Sequence, residues 1–155
     1  MLRVALLLLA LITPTLVVAQ SSEAQTTLSV LPSKYSVEET VTRLVKEIEA
    51  KGLKVAARID HAAGAKAAGL EMPPTVVVLF GNPKLGTPLM LENPQLGIDL
   101  PMRIIVWQDK AGKVSIGYTP PATLQARYAI KTGDNVTVLK TMAGALEAFA
   151  KAAAN

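Results

Sequence analysis

The chain has 155 residues, half of them hydrophobic, with 16 Lys and Arg against 12 Asp and Glu, a single histidine and no cysteine. That length suits one domain plus a leader, and the missing cysteine excludes disulfides, thiolate metal sites and cysteine nucleophiles. The cations are scattered along the chain, so the concentrated basic patch that nucleic-acid binding requires is absent.

At the start, Arg3 precedes an apolar block over residues 4–12, then Thr13-Pro14-Thr15 and small residues at Val17 and Ala19. This pattern predicts a secretory signal over residues 1–19, cleaved after Ala19, and a periplasmic or secreted location. An uncleaved anchor helix is the weaker reading, because the run falls short of the roughly 20 apolar residues that a span needs and Pro14 interrupts it. No cysteine follows the leader, which excludes a lipid anchor there. Cleavage removes Arg3 and leaves 136 residues with 15 cations and 12 anions, a net +3. A chain of that size buries an adequate core without disulfides and has no membrane segment once the leader is gone.

Residues 20–25 are small and polar and read as a mobile lead-in, which with the first strand fills 20–33. The alternation over 26–31 predicts that strand, opening a single domain over 26–153. Ser36-Val37-Glu38-Glu39 is a capping box, and Val37, Val41, Leu44, Val45 and Ile48 follow at helical spacing. Lys51-Gly52 closes this helix. Residues 53–59 read as a strand, and Asp60 is placed to cap a short alanine-rich helix over 62–70 that Met72-Pro73-Pro74 breaks. The β-branched run 75–80 marks a central strand. Residues 81–101 then hold Gly81-Asn82-Pro83, Gly86-Thr87-Pro88 and Asn93-Pro94, three predicted turns that fix one loop shape. A strand over 102–108, a hairpin turn at Asp109-Lys110-Ala111-Gly112 and a strand over 113–118 complete the sheet. A short helix over 122–130 precedes a last one, capped by Asp134 or Asn135, with Leu139, Met142, Leu146 and Phe149 forming its apolar stripe. Mainly antiparallel strands with helices gathered on one face make a two-layer α+β sandwich.

Ile59-Asp60-His61-Ala62-Ala63, Pro74-Thr75, the string from Phe80 to Met90 (FGNPKLGTPLM) and Asp99-Leu100-Pro101 together resemble the DUF302 family, whose function is uncharacterised and which is frequent in bacteria. The resemblance runs from Tyr35 to Ile130. It implies a β-α-β4-α, TBP-like fold that pairs as a homodimer, and it implies no activity.

The candidate ligand site comprises Asp60, His61, Asn82, Lys84, Gly86 and Thr87, in a cleft expected between the 60–61 corner and the 81–101 loop. His61 is the one side chain whose ordinary pKa lies near neutrality, which suits a metal or haem ligand or a general base. One histidine without cysteine cannot complete a zinc or copper site within one copy, although two copies of His61 could meet in a dimer. Backbone N–H groups of residues 84–87, with the Lys84 ammonium and the Thr87 hydroxyl, could cup a small anion, but no Gly-Lys-Ser/Thr follows to make a P-loop. Met72, Met90 and Met102 could add soft ligands near His61. Glu71, Glu92 and Asp99 flank the loop as candidate acid/base groups. No Gly-x-Ser-x-Gly elbow supplies a nucleophile. The expectation is a non-enzymatic binding or sensing module for a metal ion, haem or small anion. The alternatives are a small acid/base enzyme using His61 with Lys84 or loop N–H groups, and a structural interaction protein of the cell envelope.

Overall fold

The computed structural model describes residues 28–155. The predicted signal peptide, the lead-in and the first residues of the predicted strand over 26–31 lie outside the described residues. Five strands form one antiparallel sheet: β1 (Ser29–Pro32), β2 (Lys54–Asp60), β3 (Thr75–Gly81), β4 (Met102–Gln108) and β5 (Val114–Tyr118). Their order across the sheet is β1-β5-β4-β3-β2, so β1 and β2 are the two edges.

Two long helices cover one face. Helix α1 (Val37–Ala50) begins where the Ser36 hydroxyl accepts from the Glu39 N–H at 3.2 Å. It ends at Lys51 and at Gly52, whose φ of +70° suits a residue without a Cβ. Its stripe Val37, Val41, Leu44 and Ile48 is buried against Val76, Val78, Ile104, Val106 and Ile116 of the sheet. Each such aliphatic side chain contributes about 1.5–3 kcal/mol relative to exposure. Helix α5 (Gly133–Ala154) lies alongside α1 and adds Leu139, Leu146 and Phe149, the last edge-on to Phe80 with ring centroids 5.7 Å apart. The two-layer α+β expectation therefore holds, with all five strands accounted for.

Three shorter helices sit at the ends of the strands: α2 (His61–Ala67), α3 (Pro83–Glu92) and α4 (Pro121–Arg127), with a 3-10 turn at Pro94–Ile98. Two expectations fail here. Residues 81–101 are not a loop of three turns, because Asn82 caps α3 and Pro83 occupies its first position, where a missing N–H costs nothing. Gly86-Thr87-Pro88 therefore lies inside the helix. Nor does Asp134 or Asn135 cap α5. The helix starts at Gly133, and its N-cap, Thr132, lies two and three residues before those candidates and makes no side-chain bond to the helix.

Candidate functional site

Antiparallel register separates the predicted site into two. Asp60, at the end of β2, pairs with Val76 near the start of β3, whereas Asn82 follows Gly81 at the other end of β3. Five residues along a strand span about 17 Å. The 60–61 corner and residues 82–87 thus lie at opposite ends of the sheet, and no cleft joins them.

The end that carries α3 is tied together by polar side chains. Asn82 Oδ1 accepts from the Lys84 N–H at 2.9 Å, and the Asn82 carbonyl accepts from the N–H groups of Leu85 and Gly86. The amides expected to cup an anion are spent on the helix start. Gly86 is buried, with Leu100 packed close to where a Cβ would stand, 3.4 Å away. Lys84 and Thr87 are exposed.

Glu92 reaches across to the start of α5. Its Oε2 accepts from Asn135 Nδ2 at 2.6 Å, and its Oε1 from the N–H groups of Lys131 and Thr132 at 2.8 and 3.1 Å. The Asn135 amide and these backbone donors hold the carboxyl down at about 2. This carboxylate supplies the cap that α5 lacks in its own sequence.

Asp99 is a second hub. Arg103 donates to its Oδ1 at 2.7 Å, while Arg127 and the Tyr128 hydroxyl donate to its Oδ2 at 2.7 and 2.6 Å. Burial alone would push this carboxyl up, but the Tyr128 hydroxyl and the two guanidinium groups outweigh it and hold the pKa below the ordinary carboxylate range. Both loop carboxylates are structural ties, fully occupied, and neither is free for acid/base work.

The opposite end is open. A groove of about 1020 Å³ runs between the start of α1, the end of β2, α2 and the 70–74 segment. Asp60 lines it while also capping α2, accepting from the Ala63 N–H at 2.9 Å. Arg58 and Lys66 bring positive charge, and Glu38 and Glu71 negative. Among the described residues, none of these five makes an ion pair. Leu70, 65% exposed, and Met72 form an apolar wall beside a floor of Val76 and Val114.

His61 begins α2 and is exposed, and it does not line this groove. Among the described residues, no group of three His, Cys, Asp or Glu side chains is placed to hold a metal ion. The three methionines do not gather either: Met72 is in the groove, Met90 lies against Gly97, and Met102 is in the core. Within one copy of the chain, the length of β3 separates His61 from Lys84, so the two side chains do not share one site.

Residues 29–149 match the family described as "Domain of unknown function DUF302". The chain belongs to the DUF302 family. A crystal structure of an uncharacterized conserved DUF302 protein from Bacillus stearothermophilus superposes with a TM-score of 0.72, covering 83% of this chain and 98% of that one at 20% identity. That likeness shows the fold. Three curated relatives are named fluoride-specific ion channels. FluC 1 of Brucella suis is 40% identical over 112 residues, 72% of this chain but 44% of the relative. FluC 2 of Brucella melitensis is 40% identical over the same length, 42% of its own chain. This chain spans less than half the length of these relatives, and no helix among its described residues is long and apolar enough to cross a membrane.

The family's string from Phe80 to Met90 thus builds a helix and its buttress. The groove residues Arg58, Lys66 and Gln108 escaped the sequence reading because they come from three elements far apart in the chain, β2, α2 and β4, and no local spacing announces that.

Proposed function

We propose that this DUF302 domain is an exported, non-enzymatic binding module whose ligand lies in the groove at the Asp60 end of the sheet. The observation that carries this is the groove itself, with unpaired charges of both signs facing an apolar wall. A small zwitterionic molecule with an apolar body, such as a short peptide, matches that lining: Arg58 and Lys66 meet a carboxylate, Glu38 and Glu71 an ammonium, and Leu70 and Met72 the body. Enzymatic readings lose support, since the groove lining carries no nucleophile paired with a base. The occurrence of a similar stretch in proteins named as ion channels favours recognition beside another protein over catalysis. Channel activity itself stays with those longer relatives.

The test is isothermal titration of the chain, expressed from its full sequence, with an equimolar mixture of zwitterionic tripeptides bearing Ala, Leu and Val. Binding that weakens about tenfold in Arg58→Ala supports the reading, a loss equivalent to one charge-assisted hydrogen bond. Binding unaffected by both Arg58→Ala and Lys66→Ala, or no heat with any tripeptide, would sink it.

A further inference from the structure

Strand β2 is an edge of the sheet, so every second residue turns its main-chain N–H and C=O away from any neighbouring strand. Register says which residues these are. The Gln108 N–H donates to the Pro74 carbonyl at 2.9 Å, continuing the β3–β4 ladder by one pair. Hydrogen-bonded pairs alternate along an antiparallel ladder, so Val76 and Val78 bond to β4, while Val77 and Leu79 turn their groups to β2. The residues opposite them there are Ile59 and Ala57. The main-chain groups of Arg58 and Asp60 therefore face the open edge. The Asp60 carbonyl serves the first bond of α2, as an N-cap carbonyl does. The Arg58 N–H, the Arg58 carbonyl and the Asp60 N–H stay open, and no turn, loop or cap bond among the described residues reaches them. The side chains of the same two residues line the groove. The open stretch is short, ended by a register break between Val55 and Ala57 on one side and by α2 on the other. Residues 57–60 thus suit a short peptide and not a long strand.

We infer that the groove ligand is an extended tripeptide that adds to β2 as a short antiparallel strand, with its C-terminus at Arg58 and its N-terminus at Asp60. The inference rests on the peptide-binding reading above and adds the mode of binding to it. In this arrangement the third residue of the peptide exchanges two bonds with Arg58. Its N–H donates to the Arg58 carbonyl, and its terminal carboxylate accepts from the Arg58 N–H, a charge-assisted bond. The carbonyl of the first residue accepts from the Asp60 N–H. Directly opposed residues share a face of the sheet, so the third residue stands beside the Arg58 side chain and the first beside that of Asp60, both on the groove side. Charge sets the direction: the carboxylate lies at a guanidinium and the ammonium at a carboxylate, whereas a parallel ligand would reverse both pairings. The second side chain turns to the other face, beside Ile59, which is 44% exposed and favours an apolar neighbour. The N–H of that second residue points away from β2.

The test is isothermal titration of the chain, expressed from its full sequence, with the tripeptide Ala-Leu-Val and its two singly N-methylated forms, together with amide hydrogen exchange of the saturated complex. A methyl group on the Val nitrogen removes the donor to the Arg58 carbonyl and wedges into the ladder, and it is expected to weaken binding about tenfold or more. A methyl group on the Leu nitrogen faces away from β2 and is expected to change binding by less than about twofold. Exchange at the Arg58 and Asp60 amides is expected to slow by about tenfold or more when the peptide is bound. Equal effects at the two nitrogens, a loss at the Leu nitrogen alone, or unchanged exchange at both amides, with Ala-Leu-Val still bound, overturns this inference and leaves the peptide-binding reading standing. No binding of Ala-Leu-Val itself overturns both.

Discussion

The two ends of the sheet both carry charged side chains and use them in opposite ways. At the α3 end, Glu92 and Asp99 are each held by three donors and stitch α3 and the 3-10 turn to α4 and α5. At the groove end, Arg58, Lys66, Glu38 and Glu71 have no ion-pair partner among the described residues. A carboxylate that has satisfied its acceptors inside the fold stabilises the fold, whereas a charge left facing an open groove is available to something else. The end with the most distinctive sequence is therefore the structural one.

The largest expected effect is at Asp99. Replacing it with Ala leaves two guanidinium groups and a tyrosine hydroxyl without their acceptor and destabilises the domain by roughly 2 kcal/mol in urea unfolding, a value discounted because both arginines are half exposed. Ligand binding in the groove is expected to be unchanged, and a loss of binding without unfolding would erase the contrast between the ends.

Glu92→Gln sharpens the same point through pH. With its folded pKa depressed to about 2 from an ordinary 4.5, Glu92 contributes stability that is fully present above pH 4.5 and is lost as the pH falls toward 2. Melting temperatures measured between pH 2 and 7 are expected to place Glu92→Gln below wild type near neutrality and to converge with it near pH 2. Parallel curves over the whole range would show that the carboxylate is not the helix cap described above.

Smaller effects belong to the groove end. Arg58→Ala and Lys66→Ala are expected to change stability by less than roughly 0.5 kcal/mol, as for exposed positions generally, while weakening tripeptide binding. His61→Ala is the smallest, silent in both stability and binding. A His61→Ala variant that abolished binding would move the site out of the groove and onto the start of α2.

Much of this architecture was legible in the sequence where the cues are local. Ser36, the 37–48 stripe and Gly52 define α1, and Asp60 caps α2 as its position predicted. Helix α3 was missed because Gly86 and Pro88 are helix breakers by intrinsic preference, and tertiary contacts override them: Leu89 and Leu96 are fully buried, and Glu92 anchors the C-terminal end. A usable signal existed. Asn82-Pro83 and Asn93-Pro94 both place an Asn cap before a Pro at the first helical position, with Asn Oδ1 accepting from the N–H two residues on. The Glu92 cap of α5 bridges residues about forty apart, which no periodicity reveals. The division of the candidate site followed from strand register, which sets residues 60–61 and 82–87 at opposite ends of one strand, β3.

The most direct test of the division between the two ends is amide chemical-shift mapping of the isotopically labelled chain during titration with the same tripeptide mixture, which reads both ends at once. The account predicts shifts at Arg58, Lys66, Leu70 and Gln108 and silence at Asn82, Lys84, Gly86 and Thr87. Shifts confined to residues 82–87, with the groove silent, would contradict it and return the binding site to the signature helix.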